Sequence, residues 1–218
     1  MVLKFDLHIH TVYSKDSFLR PEKIIKIARV RELDGIAITD HNSIKGGLIT
    51  KKIAKDDIKV IIGSEIMTNN GEVIGLFLNE DIKSTIFEEV VDEINDQDGV
   101  IILPHPYRNK RGNPENLGLC VDFIESKNGR TSPKYNKLAE DLALKYNIPV
   151  VGGSDAHLSF EIGKIQTLFE TFEKNEDYAL RDLFKSKTNI IGQENPQEIS
   201  RILMLMCKMK KKYSNLCR

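Results

Sequence analysis

KFDLHIHT, residues 4–11, places two histidines two positions apart in an apolar run close to the start of the chain. Residues i and i+2 of a strand share a face, so His8 and His10 are expected side by side. Two imidazoles on a buried face admit two readings. They are either neutral, hydrogen-bonded core residues or a chelating pair. The rest of the chain has to decide between them.

Strand-like runs recur downstream as DGIAIT, IKVIIG, GVIILP, VDFIES, IPVVGG and GKIQTLF. They are rich in Val and Ile and mostly apolar on both faces, as parallel strands covered by helices are. Helical patterns separate them. Pro21 opens one that carries Ile24, Ile27 and Ala28, and Ser84 precedes another with Ile86, Phe87, Val90, Val91 and Ile94 before Gly99. Ser132-Pro133 opens a third, with Leu138, Leu142, Ala143 and Tyr146 on one stripe and Asn147 at its end. GEVIGLFLN, after Asn69-Asn70-Gly71, reads as a short hairpin arm on the third strand. Repeated βα units with no linker or low-complexity block predict an α/β chain, either an open doubly wound sheet or a closed barrel. One domain is expected over residues 1–195, with a C-terminal helix and basic tail over 196–218 that belong to it or are appended.

Hydrophobic residues make up 40% of the 218, and 32 basic side chains balance 32 acidic ones, which describes an ordinary soluble protein. Nothing in that balance calls for coating a nucleic acid. No apolar run approaches the roughly 20 residues of a bilayer-spanning helix, and MVLKFDLHIH lacks the form of a signal peptide. Cys120, Cys207 and Cys217 are scattered without Cys-x-x-Cys spacing. They point to a reducing, cytoplasmic setting and away from a disulfide framework or a thiolate zinc site. The basic run near the C-terminus reads as a solvated helix face.

The chain holds five histidines, and each falls at the downstream end of an expected strand. His8 and His10 close the first, His41 follows the second in TDHN, His105 lies in LPHP and His157 in GGSDAH. In a βα-barrel the carboxyl ends of the strands share one mouth, where ligands and chemistry collect. Carboxylates gather at the same ends: Asp16, Asp40, Glu65 in GSEI, Glu125 in FIES, and Asp155 two before His157. Asp40 is expected to cap a turn or to orient His41. Imidazole plus carboxylate without thiolate suits zinc, manganese or iron. So many donors exceed the needs of one tetrahedral ion, so two or three divalent ions are expected, with Glu65 able to bridge two of them. Without ions, such a buried cluster would be costly.

Taken in order, DLHIHT, Asp16, TDHN, GSE, LPHP and GGSDAH resemble the ligand motifs of the PHP (polymerase and histidinol phosphatase) superfamily over most of the chain. The resemblance implies a distorted (β/α)7, TIM-like barrel, a dinuclear or trinuclear metal site and hydrolysis of phosphate esters. Carried over residue by residue, it implies His8, His10, Glu65 and Asp155 around one ion. It implies Glu65 and His105 at a second ion, and Asp16, His41 and His157 at a third. The second ion of the family often takes a further His or Cys near the fifth strand, where FIESKNGR offers only Glu125 or Asn128.

The reaction expected is in-line attack on phosphorus by hydroxide, which metal ions make available from water at neutral pH without a Ser or Cys nucleophile. His157, Asp16 and Asp155 are the candidate catalytic groups. Arg108, just after LPHP, and Arg130, after the fifth strand, are candidates to grip phosphate with two parallel bonds, with Lys110 and Arg111 extending the first patch. The expected partner is a small phosphorylated substrate or a short nucleic acid, and no membrane. Histidinol-phosphate phosphatase is the specific alternative. An amidohydrolase or deaminase also carries HxH on a first barrel strand, but adds a carboxylated lysine at a strand end that this chain lacks. A non-catalytic RNA-binding relative would have no physical need for the ligand set.

Overall fold

The structure, a computed structural model, describes residues 1–108, 112–170 and 180–216. The opening stretch forms β1 (Val2–Ile9), buried from Phe5 onward. It lies in the middle of a nine-stranded sheet ordered β7-β6-β5-β4-β3-β2-β1-β8-β9. The other strands are β2 (Gly35–Ile38), β3 (Lys59–Thr68), β4 (Gly71–Leu76), β5 (Val100–Leu103), β6 (Phe123–Asn128), β7 (Val150–Gly153), β8 (Ile165–Glu170) and β9 (Thr188–Gly192). The sheet curls until β7 meets β1. Beyond the strand ends, the Ile9–Ala156 bridge is held by His10 N–H donating to the Ala156 carbonyl at 3.0 Å. Ala156 N–H returns to the His8 carbonyl at 3.2 Å. The result is an α/β fold built on a nearly closed, distorted barrel.

The distortion has a definite source. GEVIGLFLN is not an arm outside the sheet: β4 is a full member, antiparallel to both β3 and β5. GKIQTLF forms β8, which runs antiparallel to β1 and carries β9, a strand absent from the expected set, on its outer edge. Only the β1–β2–β3 and β5–β6–β7 segments keep the parallel pairing of repeated βα units.

Helices α1 (Pro21–Val30), α3 (Phe87–Asp96) and α5 (Pro133–Tyr146) occupy the expected segments. Asn147 ends α5 in the left-handed region, at φ 52° and ψ 43°. Ser84 accepts the Ile86 N–H at 3.0 Å and donates to Glu89, so it braces the start of α3 from two residues before the cap. Two helices were not expected, α2 (Lys45–Ala54) and the short α4 (Pro114–Gly118). The glycines of α2 hide its periodicity, yet they are needed. A Cβ at Gly46 would stand 1.8 Å from an Asp40 oxygen, so only glycine lets the helix approach.

Three apolar clusters hold the layers. Phe5, Leu7, Ala37, Ile61, Ile102 and Phe169 fill the barrel interior with Leu183 and Phe184 of a 3-10 turn over Leu180–Lys185. Ile9, Ile24, Ile36 and Ile38 seal α1 against the sheet, and Phe87, Ile94, Ile124 and Leu142 seal α3 and α5. Each such side chain stabilises the fold by roughly 1.5–3 kcal/mol on burial. The last helix, α6 (Gln197–Leu216), buries Leu203 and Cys207. Its Lys210 donates to the Ser17 carbonyl and sits 4.9 Å above the Phe18 ring, so part of the basic tail is packed rather than solvated. Among the described residues no helix is long and apolar enough to cross a membrane.

Candidate metal centre

Two bulges aim the site. Between Asp6 and Ile9, β1 carries one residue more than β2, so the alternation breaks there. Leu7 stays in the barrel core, whereas His8 and His10 turn to the mouth. A second register shift, between Glu125 and Lys127 of β6, brings both Glu125 and Asn128 to the same mouth. Across from them Gly153 passes so close that a Cβ would lie 2.4 Å from the His8 Cβ. Two of the converging residues, His105 (φ 29°) and Asp155 (φ 54°), hold left-handed backbone that side chains of their kind rarely adopt.

All five histidines do converge. His8 Nε2 faces His10 Nε2 at 3.1 Å. Glu65 lies at the centre: its Oε2 is 3.6 Å from His8 Nε2, 3.3 Å from His10 Nε2 and 3.2 Å from His41 Nδ1. Its Oε1 meets His105 Nε2 at 2.9 Å. Asp155 Oδ1 stands 3.5 Å from both His10 Nε2 and His157 Nδ1, and 3.7 Å from His8 Nε2. Asp16 joins the rim, 3.3 Å from His41 Nε2 and 3.6 Å from His157 Nε2.

Glu65 Oε2 and Asp16 Oδ1 are buried and accept no hydrogen bond. Buried carboxylate oxygens of this kind are expensive unless a cation meets them. Among the described residues, four groups place three donor atoms within 4.8 Å of one another: His10/His41/His157, His8/His10/Glu65, His8/His105/Asp155 and His41/Glu65/Glu72. The donor set therefore fits a divalent cation.

Glu125 stands behind His8 rather than facing the cation positions. Its Oε1 meets His8 Nδ1 at 3.0 Å, while Oε2 accepts the His105 N–H and the Asn128 amide, each at 3.0 Å. With both oxygens taken, it orients imidazoles, and Asn128 is likewise engaged at both ends of its amide. Asp40 accepts the Thr11 N–H, the Thr11 hydroxyl and the Ser14 hydroxyl, so it ties the first two strand ends together. Arg108 bonds Asp155 Oδ2 and His105. Arg130 pairs with Glu161 at 3.4 Å and reaches the Cys207 sulfur at 3.5 Å. Lys110 and Arg111 lie outside the described residues. Above the centre opens a cavity of about 800 Å³, lined by Asp16, His41, Glu65 and Arg130 below and by Ser200, Cys207 and Lys208 of α6.

The chain was compared with known proteins. A family model described as PHP-associated matches residues 133–188. Two uncharacterised proteins of Methanocaldococcus jannaschii are similar in sequence. One is 50% identical over 117 residues, covering 48% of this chain and 68% of its own length. The other is 32% identical over 218 residues, covering 89% and 86%. Among solved structures, a two-domain Bacteroides vulgatus protein containing a predicted PHP-like metal-dependent phosphoesterase superposes with a TM-score of 0.74. It is 22% identical and the match covers 95% of this chain and 70% of that one. The lesion-specific endonuclease PfuEndoQ of Pyrococcus furiosus gives 0.63 at 18% identity, over 87% and 58%. The family model thus bears on residues 133–188, and the solved structures show the fold.

The electrostatics of the mouth follow from its donors. Burial disfavours charge on every group, and the carboxylates overcome it for two histidines. The Asp155 and Glu65 carboxylates beside it push His10 up to about 9 against its burial. Asp155, Glu125 and Glu65 raise His8 well above its usual range in the same way. In return, and despite burial, the charge on His8 holds Glu65 well below the usual carboxylate range, and Arg108 with His8 does so for Asp155. Burial and the positive His10 together push His157 down to about 4. Protons on His8 and His10 thus supply positive charge that the acidic mouth demands.

Several participants escaped the sequence reading. Ser14 donates to Asp40, touches His10 Nδ1 at 3.2 Å and accepts the His41 N–H at 3.0 Å. Glu72 of β4 reaches within 3.9 Å of His105 Nδ1, which follows from β4 lying inside the sheet. Glu161 accepts the N–H groups of His157 and Leu158, each at 2.9 Å. Its place in SDAHLSFE, four residues past His157, was the available signal.

Proposed function

We propose that this chain is a metal-dependent phosphoesterase of the PHP superfamily that takes a phosphorylated metabolite or a short nucleic-acid end into the cavity above its metal centre. The observation that carries this reading is the buried Glu65 oxygen with no hydrogen bond and three imidazole nitrogens within 3.6 Å. The names of the two structural neighbours, a PHP-like metal-dependent phosphoesterase and an endonuclease, support the same class of reaction.

His8, His10, Glu65 and Asp155 would hold one ion, Asp16, His41 and His157 another, and His105 with Glu65 a third. Bound there, divalent ions supply a nucleophile at neutral pH and neutralise charge on the phosphoryl oxygens. The chain's own groups do the rest. Glu125 fixes the His8 ring through Nδ1, and Ser14 fixes His10 through Nδ1, so that each presents Nε2 to the mouth. Arg130, Lys134 and Lys208 line the cavity and attract a phosphate to it. Asp16, on the rim beside His41 and His157, has a second carboxylate oxygen placed to hold the proton that the leaving oxygen needs. The cavity volume suits a nucleotide-sized ester better than a duplex.

The test is to count bound metals and measure phosphate release from a panel of monoesters and diesters, histidinol phosphate included, with and without Mn²⁺. Metal-dependent release with more than one ion per chain is expected. Less than one ion per chain with no release from any ester would overturn the reading, and turnover of amides instead would replace it.

A further inference from the structure

Arg108 does something that a phosphate-gripping arginine would not do. Its Nη2 lies 2.6 Å from His105 Nε2, and its Nη1 bonds Asp155 Oδ2 and reaches the Asn128 side-chain Oδ1 at 3.4 Å. His105 and Asp155 are two of the three members of the His8/His105/Asp155 donor group. The guanidinium therefore occupies His105 Nε2 and one Asp155 oxygen, while Asp155 Oδ1 faces His8 and His10. The other carboxylates differ: Glu65 Oε2 and Asp16 Oδ1 accept no hydrogen bond, whereas Asp155 Oδ2 is taken by Arg108 and by Asn128 at 3.3 Å.

We infer that Arg108 is a tethered cation that competes with a metal ion for the His8/His105/Asp155 position and must leave when that position is filled. This rests on the metal-centre reading above. An ammonium on a flexible stem would do this less well, because a planar guanidinium gives His105 and Asp155 a nitrogen each in a fixed geometry. The consequence is ordered loading. The Asp16/His41/His157 position, whose donors Arg108 does not touch, fills first, and the positions that draw on His105 and Asp155 fill last and most weakly. Once displaced, the side chain has the adjoining cavity to enter, where it becomes available to an arriving phosphate. The loss of one metal site's affinity in the resting chain is thereby coupled to a cation freed for substrate.

The experiment is a calorimetric titration of Zn²⁺ into the chelator-stripped, full-length chain, for wild type, Arg108→Met and Arg108→Lys. Wild type is expected to bind in a tight and a weak phase. Arg108→Met should tighten the weak phase at least tenfold and leave the tight phase unchanged, with Arg108→Lys in between. If neither variant folds, the wild-type chain still decides. The Arg108 side-chain NMR resonance should move with the last Zn²⁺ equivalent and not with the first. Arg108→Met affinities within twofold of wild type, or weaker, would overturn the inference while leaving the metal centre intact, as would an arginine resonance that never moves. A wild-type chain that binds no Zn²⁺ overturns the metal centre and this inference together.

Discussion

Asp6 and Glu65 are equally buried carboxylates, 0% and 1% exposed, and their surroundings could hardly differ more. Asp6 accepts from Ser154 N at 2.9 Å, Ser154 Oγ at 2.6 Å, Gly163 N at 2.6 Å and His8 N at 3.4 Å. All four donors are neutral and fixed, and they close the seam where β7 meets β1. Glu65 is surrounded by imidazoles instead, and one of its oxygens accepts no hydrogen bond. Burial pushes Asp6 up to about 6 in spite of its donors, whereas the histidines hold Glu65 far below its usual range in spite of burial. A carboxylate satisfied by neutral donors holds a fold together. One surrounded by groups that can trade a proton for a metal ion is equipped for binding.

The largest effect should come from Glu65→Gln. It removes the charge shared by four imidazoles, and phosphoesterase activity should fall on the order of 10³-fold, as for loss of a principal electrostatic group. Bound metal should drop by at least one equivalent while far-UV circular dichroism is retained. A variant keeping full metal and more than a tenth of the activity would place Glu65 in the same class as Asp6.

Asp6→Asn should show the reverse pattern. An amide puts N–H groups against donors, so stability should fall by about 1–3 kcal/mol while the folded chain keeps its metal count. The pH dependence carries the sign of the raised pKa. The stability associated with a protonated Asp6 is fully present below its unfolded value of 3.8 and is lost as pH rises through about 6. That loss amounts to roughly 3 kcal/mol at 1.36 kcal/mol per unit. Denaturant unfolding of the metal-free chain between pH 4 and 7, compared with Asp6→Asn, isolates it. Parallel curves for the two proteins would show that Asp6 ionises as freely as in solvent.

The sequence made one side of this contrast visible. Five histidines at strand ends, with carboxylates gathered at the same ends, name the centre because metal chemistry restricts donor types and strand ends restrict their place. Glu65, His41 and Asp16 were readable on those grounds, and the structure brings them within contact. Asp6 was passed over because its partners, Ser154 and Gly163, lie about 150 positions away and are ordinary residues. Glu125 was read as facing the ions because alternation alone cannot foresee a bulge, and the β6 bulge decides which oxygens remain free. The fold was readable in its parallel segments for a similar reason: apolar runs announce buried strands. They do not announce direction, so β4 was left as an arm and β9, half exposed and short, was missed.

Cys207→Ser should have the smallest effect, and it tests where the metal centre stops. The thiol lines the same cavity as His41 and Glu65, and a sulfur near a cluster of histidines invites assignment as a ligand. Its contacts argue otherwise. The sulfur's bond is to Arg130 Nη2 at 3.5 Å, and burial pushes the thiol up, away from the thiolate that a metal requires, although Arg130 opposes the shift. A serine hydroxyl can take the same guanidinium bond at shorter range. Metal stoichiometry should therefore be unchanged and activity should stay within about threefold of wild type, a change of under roughly 1 kcal/mol. Loss of an ion in this variant would move the boundary of the centre out to α6 and make the last helix part of the site. Retention leaves Cys207 on the side of Asp6, a buried group near the chemistry whose bonds are all accounted for by the fold.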